Sequence, residues 1–571
     1  MSLSLAEKKK KSALTVLVIQ LGTEAELYRS LMAMKAIKHL YPDCKLHLLV
    51  RRELKTAPER VEWISKVIST PEVVEASAFR SAALWVDQVV DENYDILVNW
   101  TFTERYSRLG AIAASLIPSV VKLGDFVRED LSIASFDAWS MYRQAWVREQ
   151  IDQDIHSTDI ITTQLLTALQ IHAGDPHPDA GATAVTSRYF FKSITASIPL
   201  FWATRPKNLK WIAVQLKGIG VAQDESKAWI ESILKRHPDT GILVLHPLDS
   251  PVHLAPELKS RLILVEQDLS TDEAIHLFSQ IQWLISGESH WVDLASLMNV
   301  RVLFTPKKAW AVDGPYGNGH LIIEKANAES IYAIWSYFHS EWFHKGTFSL
   351  NKHFENLGCQ QSLNEVIAYR SRIRAAQEGG GVTYEKVAPD HQFDFDSWMT
   401  RVRGQIARAW FCGWLPSIES EVSQMKLSPA LVKRVRELQE SLVVLSKLTR
   451  EGKLTALQLF ADTEHLPSGN IMGVESRDLV EAAGKKIAEI EGLISRVVSV
   501  DPSLDCILKF YQILMHNLKG ETISAMAKES AQAFELMDEG VEMISVYAQK
   551  TLEFAKPKSV AAEMKVQDLR T

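Results

Sequence analysis

The chain has 571 residues, of which 46% are hydrophobic and 23% are charged. Because a single hydrophobic core rarely grows beyond about 300 residues, we expect two or three domains. The formal net charge of −7 argues against a nucleic-acid-binding protein. The 4 cysteines lack CxxC spacing, so they indicate no zinc or disulfide framework and favour a reducing compartment.

The N-terminal tail, residues 1–12, contains the lysine run Lys8–Lys11. The apolar stretch after it, Leu14–Ile19, is too short for a signal sequence, and no segment reaches the roughly 18 apolar residues of a membrane span. We therefore predict a cytoplasmic protein with a solvated tail. The alternative for the lysines is a weak peripheral contact with anionic lipid at the inner face of the membrane.

Strand and helix patterns alternate from residue 13 to about residue 200. The first apolar run leads through Gln20-Leu21-Gly22 into a helix, and two carboxylates, Glu24 and Glu26, lie at the junction. Open α/β sheets bind ligands beyond the carboxyl ends of their strands, so these acids are candidate site residues. The predicted strands are Leu14–Ile19, Leu46–Val50, Ile96–Trp100 and Ser119–Lys122, and the predicted helices are Leu27–Leu40, Arg105–Ala114 and Glu149–Ala173.

The alternation restarts at about residue 208 with the predicted strand Trp211–Leu216. The further strands predicted are Ile242–His246, Leu262–Val265, Trp283–Ile285 and Val300–Phe304, and the helices are Ser226–Arg236, Thr271–Ile281 and Trp291–Met298. Strands that alternate with helices form parallel sheets. Two successive sets therefore predict two doubly wound α/β domains that face each other.

The chain beyond about residue 325 has a different pattern. A polar stretch around Gly379-Gly380-Gly381 predicts a linker, and almost everything after it is helical. The predicted helices are Leu431–Thr449 after the N-cap pair Ser428-Pro429, one beginning after Ser476, Leu504–Leu518 and Ile523–Ala548. An apolar stripe with helical spacing predicts packing in a bundle or a dimer seam, and it comprises Leu479, Ala483, Ile487, Ile490, Ile494 and Val497.

Several short strings occur in a recognisable order over roughly residues 14–325. They are Gln20-Leu21-Gly22-Thr23-Glu24-Ala25-Glu26 with Ser30-Leu31, Tyr94–Asn99 with Lys122-Leu123-Gly124, His156-Ser157-Thr158-Asp159, Ser286–His290 with Leu294-Ala295, and Gly314-Pro315-Tyr316-Gly317. In these strings the chain resembles the ADP-heptose:lipopolysaccharide heptosyltransferases, glycosyltransferase family 9. The resemblance ends before the helical region.

The chain departs from the family pattern at important positions. Glu26 stands at the family's catalytic Asp, and Glu288 replaces another Asp. Ala25, His290 and Asn299 each replace a family glycine, and Asp293 replaces a family histidine. These changes suggest a different donor, a different acceptor or loss of catalysis, although two exchanges of Asp for Glu favour an altered activity.

The resemblance implies a GT-B architecture, in which two Rossmann-like domains bind a nucleotide-sugar. We expect an acceptor domain at 13–200, a donor domain at 201–375, a linker at 376–396 and a helical region at 397–571. The helical region would recognise the acceptor or form a homo-oligomer. The rival hypothesis is a non-catalytic GT-B-like binding or scaffold protein that acts through its helical region.

The implied reaction is an inverting, metal-independent transfer of a heptose-like sugar from ADP-heptose to lipopolysaccharide core or to a protein, without a cofactor. Such a transfer needs a base for the acceptor hydroxyl and positive potential for the departing diphosphate. Glu26 is the first candidate for the base and Glu24 the second. The structural alternative for both is a first-turn acid that complements the helix dipole.

The remaining candidates bind the two substrates. The donor-binding candidates are Lys217, Gly218, Gly220, Lys227, Glu288, Ser289 and His290. Backbone N–H groups at the two glycines could hold a phosphate, although an ordinary strand-to-helix turn explains them as well. The acceptor-binding candidates are Arg51, Arg52 and Arg105, whose structural alternative is a solvated charge at the end of a strand or loop.

Overall fold

The computed structural model describes residues 14–69, 88–89, 92–128, 130–147, 155–173, 190–191, 198–215, 219, 223–245, 256–265, 268–287, 290–306, 313–324, 327–339, 350–357, 366–373, 381–387, 394–412, 422, 427–464, 474–520 and 522–555. The chain divides into two compact units. The first comprises Met1–Ser140 with Ile155–Asp390, and the second comprises Met141–Asp154 with His391–Thr571.

The first unit begins with a parallel five-stranded sheet of order β3-β2-β1-β4-β5. The strands are β1 Thr15–Gln20, β2 Lys45–Val50, β3 Lys66–Ser69, β4 Tyr94–Asn99 and β5 Ser119–Leu123. Val18 of the central strand lies beside Leu48 and Val98, and all three are buried. Apolar β-branched runs form these strands because both faces of a parallel sheet are covered. The four strands predicted for this lobe are confirmed, and β3 was not predicted.

Helices cover this sheet and connect its strands. They are α1 Glu24–Leu40, α2 Thr56–Glu59, α3 Glu104–Leu116, α5 Ser157–Ala173 and α6 Leu200–Ala203, with a 3-10 turn at Arg52–Leu54. Between α3 and α5, helix α4 Ala138–Tyr142 crosses the boundary between the two units, and the π-helical turn Arg143–Val147 after it belongs to the second unit. A short antiparallel pair, β6 Asp125–Val127 and β7 Ile133–Ser135, follows β5. The helix predicted at Glu149–Ala173 begins at Ser157 in the described residues. This sheet with its helices is called the first lobe below.

The second lobe contains an eight-stranded sheet of order β10-β9-β8-β11-β12-β13-β14-β15. The strands are β8 Lys210–Gln215, β9 Thr240–Leu245, β10 Leu262–Val265, β11 Trp283–Ser286, β12 Arg301–Phe304, β13 Leu321–Glu324, β14 Ile367–Ile373 and β15 Val382–Lys386. The first six are parallel in the doubly wound order, and the last two are antiparallel. The helices are α7 Gln223–Arg236, α8 Pro256–Lys259, α9 Thr271–Phe278, α10 His290–Leu297, α11 Ala328–His339 and α12 Leu350–Leu357.

The linker predicted at 376–396 is wrong in its central part. β15, Val382–Lys386, pairs antiparallel with β14 and extends the second sheet. Polar and charged residues interrupt both strands, because these strands form the open edge of the sheet and do not need the continuous apolar sequence of its centre. The β-branched and aromatic run at the start of β15, Val382-Thr383-Tyr384, was the available signal.

The second unit is helical, as predicted. It contains α13 Phe395–Cys412, α14 Pro429–Thr463, α15 Val474–Val500, the 3-10 turn Pro502–Leu504, α16 Asp505–His516 and α17 Ile523–Ala555. The Phe534 ring of α17 packs directly on α14 at Gly452, where an added Cβ would lie 2.3 Å from the ring. No helix in the described residues has both the length and the apolar character to cross a membrane.

Two predictions for the helical region need correction. Met141–Asp154 was assigned to the first domain but belongs to the helical unit. Trp146 explains this, since its indole Nε1–H donates to the Cys506 carbonyl at 2.8 Å. The apolar stripe predicted for α15 is buried only toward its C-terminal end, and Leu479 is half-exposed.

Candidate functional site

Helix α1 begins at the carboxyl end of the central strand β1. Thr23 is its N-cap, and its hydroxyl accepts a hydrogen bond from the Glu26 N–H at 3.3 Å. The Glu26 carboxylate accepts in return from the Thr23 N–H at 3.2 Å, which completes a capping box. Its other oxygen accepts from the Thr103 hydroxyl at 2.9 Å. Glu26 therefore acts at the N-terminus of its own helix, which is the structural role that the sequence analysis gave as the alternative to a catalytic base.

Gly22 allows this arrangement. A Cβ at Gly22 would lie 1.5 Å from Oε2 of Glu26, so only glycine leaves room for the carboxylate. The Arg51 guanidinium fixes the same loop, since its Nη2 and Nε donate to the Gly22 carbonyl at 2.9 and 3.2 Å. Arg51 also stacks on the Tyr106 ring, with 4.3 Å between the guanidinium carbon and the ring centroid. These contacts support the loop and leave Arg51 little surface for an acceptor.

The Glu24 carboxylate faces the second lobe. One oxygen accepts a hydrogen bond from the Tyr28 hydroxyl at 2.6 Å, and the other lies 3.7 Å from Nε2 of His290. Tyr28 is fully buried, and burial together with the nearby Glu24 charge raises the pKa of Tyr28 well above its usual value. The tyrosine therefore keeps its proton and acts as a donor to Glu24.

A buried ion pair joins α1 to α10 one turn further along both helices. Arg29 donates from Nε and Nη2 to the Asp293 carboxylate at 2.8 and 3.2 Å, and its Nη1 donates to Asp313. Burial disfavours the charged form of Arg29, but Asp293 and Asp313 outweigh it and raise the Arg29 pKa. Burial raises the pKa of Asp293 to about 6 against the attraction of Arg29. The pair fixes how α1 approaches α10.

Two strings identified in the sequence meet each other in the structure. His156, just before α5, donates from Nε2 to the Gly314 carbonyl at 2.9 Å and accepts from the Thr158 N–H at Nδ1. Asp159 accepts from the Tyr316 hydroxyl at 2.7 Å and from the Val382 N–H at 2.9 Å. Both strings therefore connect the lobes, and the side chains of His156, Asp159 and Tyr316 are all engaged in these contacts.

The structure brings part of the predicted site together. Glu24 lies 3.7 Å from His290 where α1 and α10 begin, whereas Glu26, in the same turn of α1, hydrogen-bonds within the first lobe. Arg52 and Arg105 are exposed on the first lobe, and Arg105 lies over the Tyr106 ring at 5.4 Å. Lys227 is in α7, and nothing is described of its side chain. Lys217, Gly218, Gly220, Glu288 and Ser289 lie outside the described residues.

Sequence reasoning missed the polar residues that organise this site. Tyr28 and Arg29 lie in the first two turns of α1, where the sequence pattern shows only a helix. Asp293 was read as a departure from the family pattern, although it is the buried partner of Arg29. A charge at a position that helical spacing places inside, such as Asp293, was the available signal.

The described residues define a class of architecture. Two doubly wound sheets, the first wholly parallel and the second parallel in six of its eight strands, lie in one compact unit, and the helices that follow their central strands meet at their N-terminal ends. This is the GT-B architecture, and it confirms the predicted fold class. Within the described residues, no three His, Cys, Asp or Glu side chains form a group that could hold a metal ion.

Comparisons with known proteins give similar structures but no similar sequence. No family model matches the chain, and no curated protein matches it. The chain is similar to the E. coli heptosyltransferase WaaC with ADP, at 11% identity and a TM-score of 0.40, covering 57% of this chain and 100% of that one. It is also similar to a family 9 glycosyltransferase from Veillonella parvula DSM 2008, at 11% identity and a TM-score of 0.40, covering 62% of this chain and 99% of that one.

A third similar structure has a different name. It is the UDP-GlcNAc 2-epimerase from Neisseria meningitidis bound to UDP-GlcNAc, at 14% identity and a TM-score of 0.32, covering 61% of this chain and 95% of that one.

Proposed function

We propose that the protein is an inverting glycosyltransferase that needs no metal and binds a nucleotide-sugar between its two lobes. One observation carries the proposal: the Glu24 carboxylate of the first lobe lies 3.7 Å from Nε2 of His290 of the second, where α1 and α10 begin. Doubly wound sheets bind ligands at this end of their strands. A carboxylate on one lobe can supply the base, and a helix N-terminus on the other can supply the positive potential, that sugar transfer requires.

The reaction divides between the lobes. A carboxylate of α1 removes the proton of the acceptor hydroxyl as its oxygen attacks the anomeric carbon. The N-terminal N–H groups of α10 and the imidazole of His290 lie on the opposite side, where they favour the negative charge of the departing diphosphate. Lys217, Gly218, Gly220, Lys227, Glu288 and Ser289 are proposed to complete the donor site.

The identities of the substrates rest on the sequence strings. They favour ADP-heptose or a related nucleotide-sugar as donor, and a lipopolysaccharide core or a protein side chain as acceptor. Arg52 and Arg105 are exposed on the first lobe and are proposed to contact an anionic acceptor. The proposed location is the cytoplasm, where nucleotide-sugars are available.

Two observations favour a second candidate, a GT-B-like protein that binds ligands or partners without catalysis. The Glu26 carboxylate, which stands at the family's base position, accepts hydrogen bonds from two first-lobe groups. The buried Arg29–Asp293 pair also holds α1 against α10 close to the proposed donor site. This candidate would act through its helical unit.

A nucleotide-sugar panel separates the two candidates. Isothermal titration with ADP, UDP and GDP and single-turnover release of nucleoside diphosphate from the corresponding sugars would be measured on the full chain. The enzyme predicts binding and turnover, with turnover lost in Glu24→Gln/Glu26→Gln and kept in the exposed control Glu62→Gln. Absence of binding to every nucleotide would favour the scaffold.

A further inference from the structure

The two acids at the start of α1 face in different directions. Both oxygens of Glu26 accept hydrogen bonds from the first lobe, from Thr23 at 3.2 Å and from Thr103 at 2.9 Å. The carboxylate also lies against the backbone of Gly22, which has no Cβ to obstruct it. Glu26 is thus folded back onto the N-terminus of its own helix, where it stabilises the helix and its loop.

Glu24 extends toward the second lobe. Its Oε1 accepts from the Tyr28 hydroxyl at 2.6 Å, and its Oε2 lies 3.7 Å from Nε2 of His290, the first residue of α10. The Glu24 side chain is 31% exposed, so a substrate that enters from solvent can reach it. A distance of 3.7 Å is too long for a hydrogen bond, so Oε2 keeps its capacity to accept one from a substrate hydroxyl.

We propose that Glu24, not Glu26, accepts the proton in the transfer reaction, and that Tyr28 positions it. This inference rests on the proposed function. The acceptor hydroxyl oxygen forms a bond to the anomeric carbon, and the bond from that carbon to the diphosphate oxygen breaks. Its electron pair leaves with the nucleoside diphosphate, and the hydroxyl proton moves to Oε2 of Glu24.

Tyr28 gives this carboxylate a fixed orientation. Its hydroxyl donates to Oε1 from a fully buried ring, so Oε2 is the oxygen left to face the donor lobe. Since the tyrosine keeps its proton, its hydroxyl still donates a hydrogen bond to Oε1 while Oε2 accepts the proton of the substrate hydroxyl. Tyr28 touches Glu24 and does not face the substrate, so it is a positioning residue.

The test compares single variants of the full chain, using ADP for binding and the nucleotide-sugar that the wild type turns over for catalysis. Glu24→Gln keeps an acceptor for Tyr28 and is expected to lower single-turnover release of nucleoside diphosphate by about 10²–10⁴-fold. Its Kd for ADP should stay within about threefold of the wild-type value, since the carboxylate does not bind the diphosphate. Glu26→Gln should lower the rate less than about tenfold but reduce thermal stability.

Two further variants complete the set. Tyr28→Phe should lower kcat about tenfold without raising KM, because a displaced base weakens only the transition state. Glu62→Gln removes an exposed acid of the same lobe and should leave the rate unchanged. A purely structural role for Tyr28 would lower stability and leave kcat unchanged, which would contradict its positioning role.

Two failures can be told apart. If the wild type turns over a nucleotide-sugar and Glu24→Gln does so at a similar rate while Glu26→Gln is inactive, Glu26 is the base and this inference is wrong. If the wild type neither binds ADP nor turns over any sugar of the panel, the proposed function is wrong and the inference fails with it.

Discussion

At the residue scale, Gly22 sets the geometry of the loop before α1. The Glu26 carboxylate occupies the space that a side chain at this position would need. Gly22→Ala should therefore displace the carboxylate, break the capping box and lower the free energy of unfolding by about 1–2 kcal/mol.

The control for Gly22→Ala is Gly484→Ala in α15. No atom lies within 4 Å of an added Cβ at Gly484. This change should raise stability by about 0.5–1 kcal/mol, because alanine favours a helix more than glycine does. Urea unfolding measures both variants, and a Gly22→Ala protein as stable as the wild type would contradict the packing described here.

The buried histidine His156 predicts an acid-sensitive fold. Burial, followed by the Arg29 charge, lowers the pKa of His156 to about 3. The unfolded chain therefore binds a proton at this position at a higher pH than the folded chain does. Between about pH 6.5 and the folded pKa, stability should fall as the pH falls, by at most about 1.4 kcal/mol per pH unit from this group.

The variant that tests this is His156→Gln, with unfolding measured from pH 7 to pH 4. We expect its stability to depend less steeply on pH than that of the wild type, even though the lost contact with the Gly314 carbonyl lowers stability overall. Burial also lowers the pKa of His320, to about 4, so His320→Gln should flatten the curve in the same direction. If the stabilities of His156→Gln and the wild type depend on pH with the same slope, His156 is not the source of the acid sensitivity.

At the scale of elements, the contact between α1 and α10 depends on the Arg29–Asp293 pair. The side chains of the two residues are 14% and 3% exposed. Asp293→Ala leaves a buried guanidinium without its bidentate partner, and it should lower the free energy of unfolding by about 3 kcal/mol. Denaturant unfolding measures the loss.

Two further variants serve as comparisons for Asp293→Ala. Glu231→Ala breaks the exposed pair with Lys235, 2.8 Å apart within α7, and should cost under about 1 kcal/mol. Arg29→Met/Asp293→Leu should recover much of the loss, because apolar side chains need no charged partner there. A cost for Asp293→Ala no larger than that for Glu231→Ala would show that the pair does not hold the helices.

The elements also show which features a sequence reveals. Central parallel strands such as β1 and β11 are buried on both faces, so they appear as continuous apolar runs and were predicted within a residue or two. The antiparallel edge strand β15 carries polar residues and was predicted to be linker. The Arg29–Asp293 pair joins residues 264 positions apart, so no local pattern contains it.

At the scale of the whole molecule, the parallel order of the two sheets determines where the candidate site lies. The doubly wound order brings the ends of β1 and β11 to one region, which is why Glu24, Glu26 and His290 could be grouped from the sequence. Their roles could not be predicted, because the orientation of Glu24 depends on the Tyr28 hydroxyl and that of Glu26 on Thr103.

The central claim is that the two lobes bind a nucleoside diphosphate where α1 and α10 begin. Hydrogen exchange of the full chain, followed by mass spectrometry with and without ADP at saturating concentration, tests it most directly. We predict slower exchange in peptides that contain residues 22–27 and 290–294, with no change in α14 and α17. Unchanged exchange at both helix starts, or protection confined to the helical unit, would contradict the account.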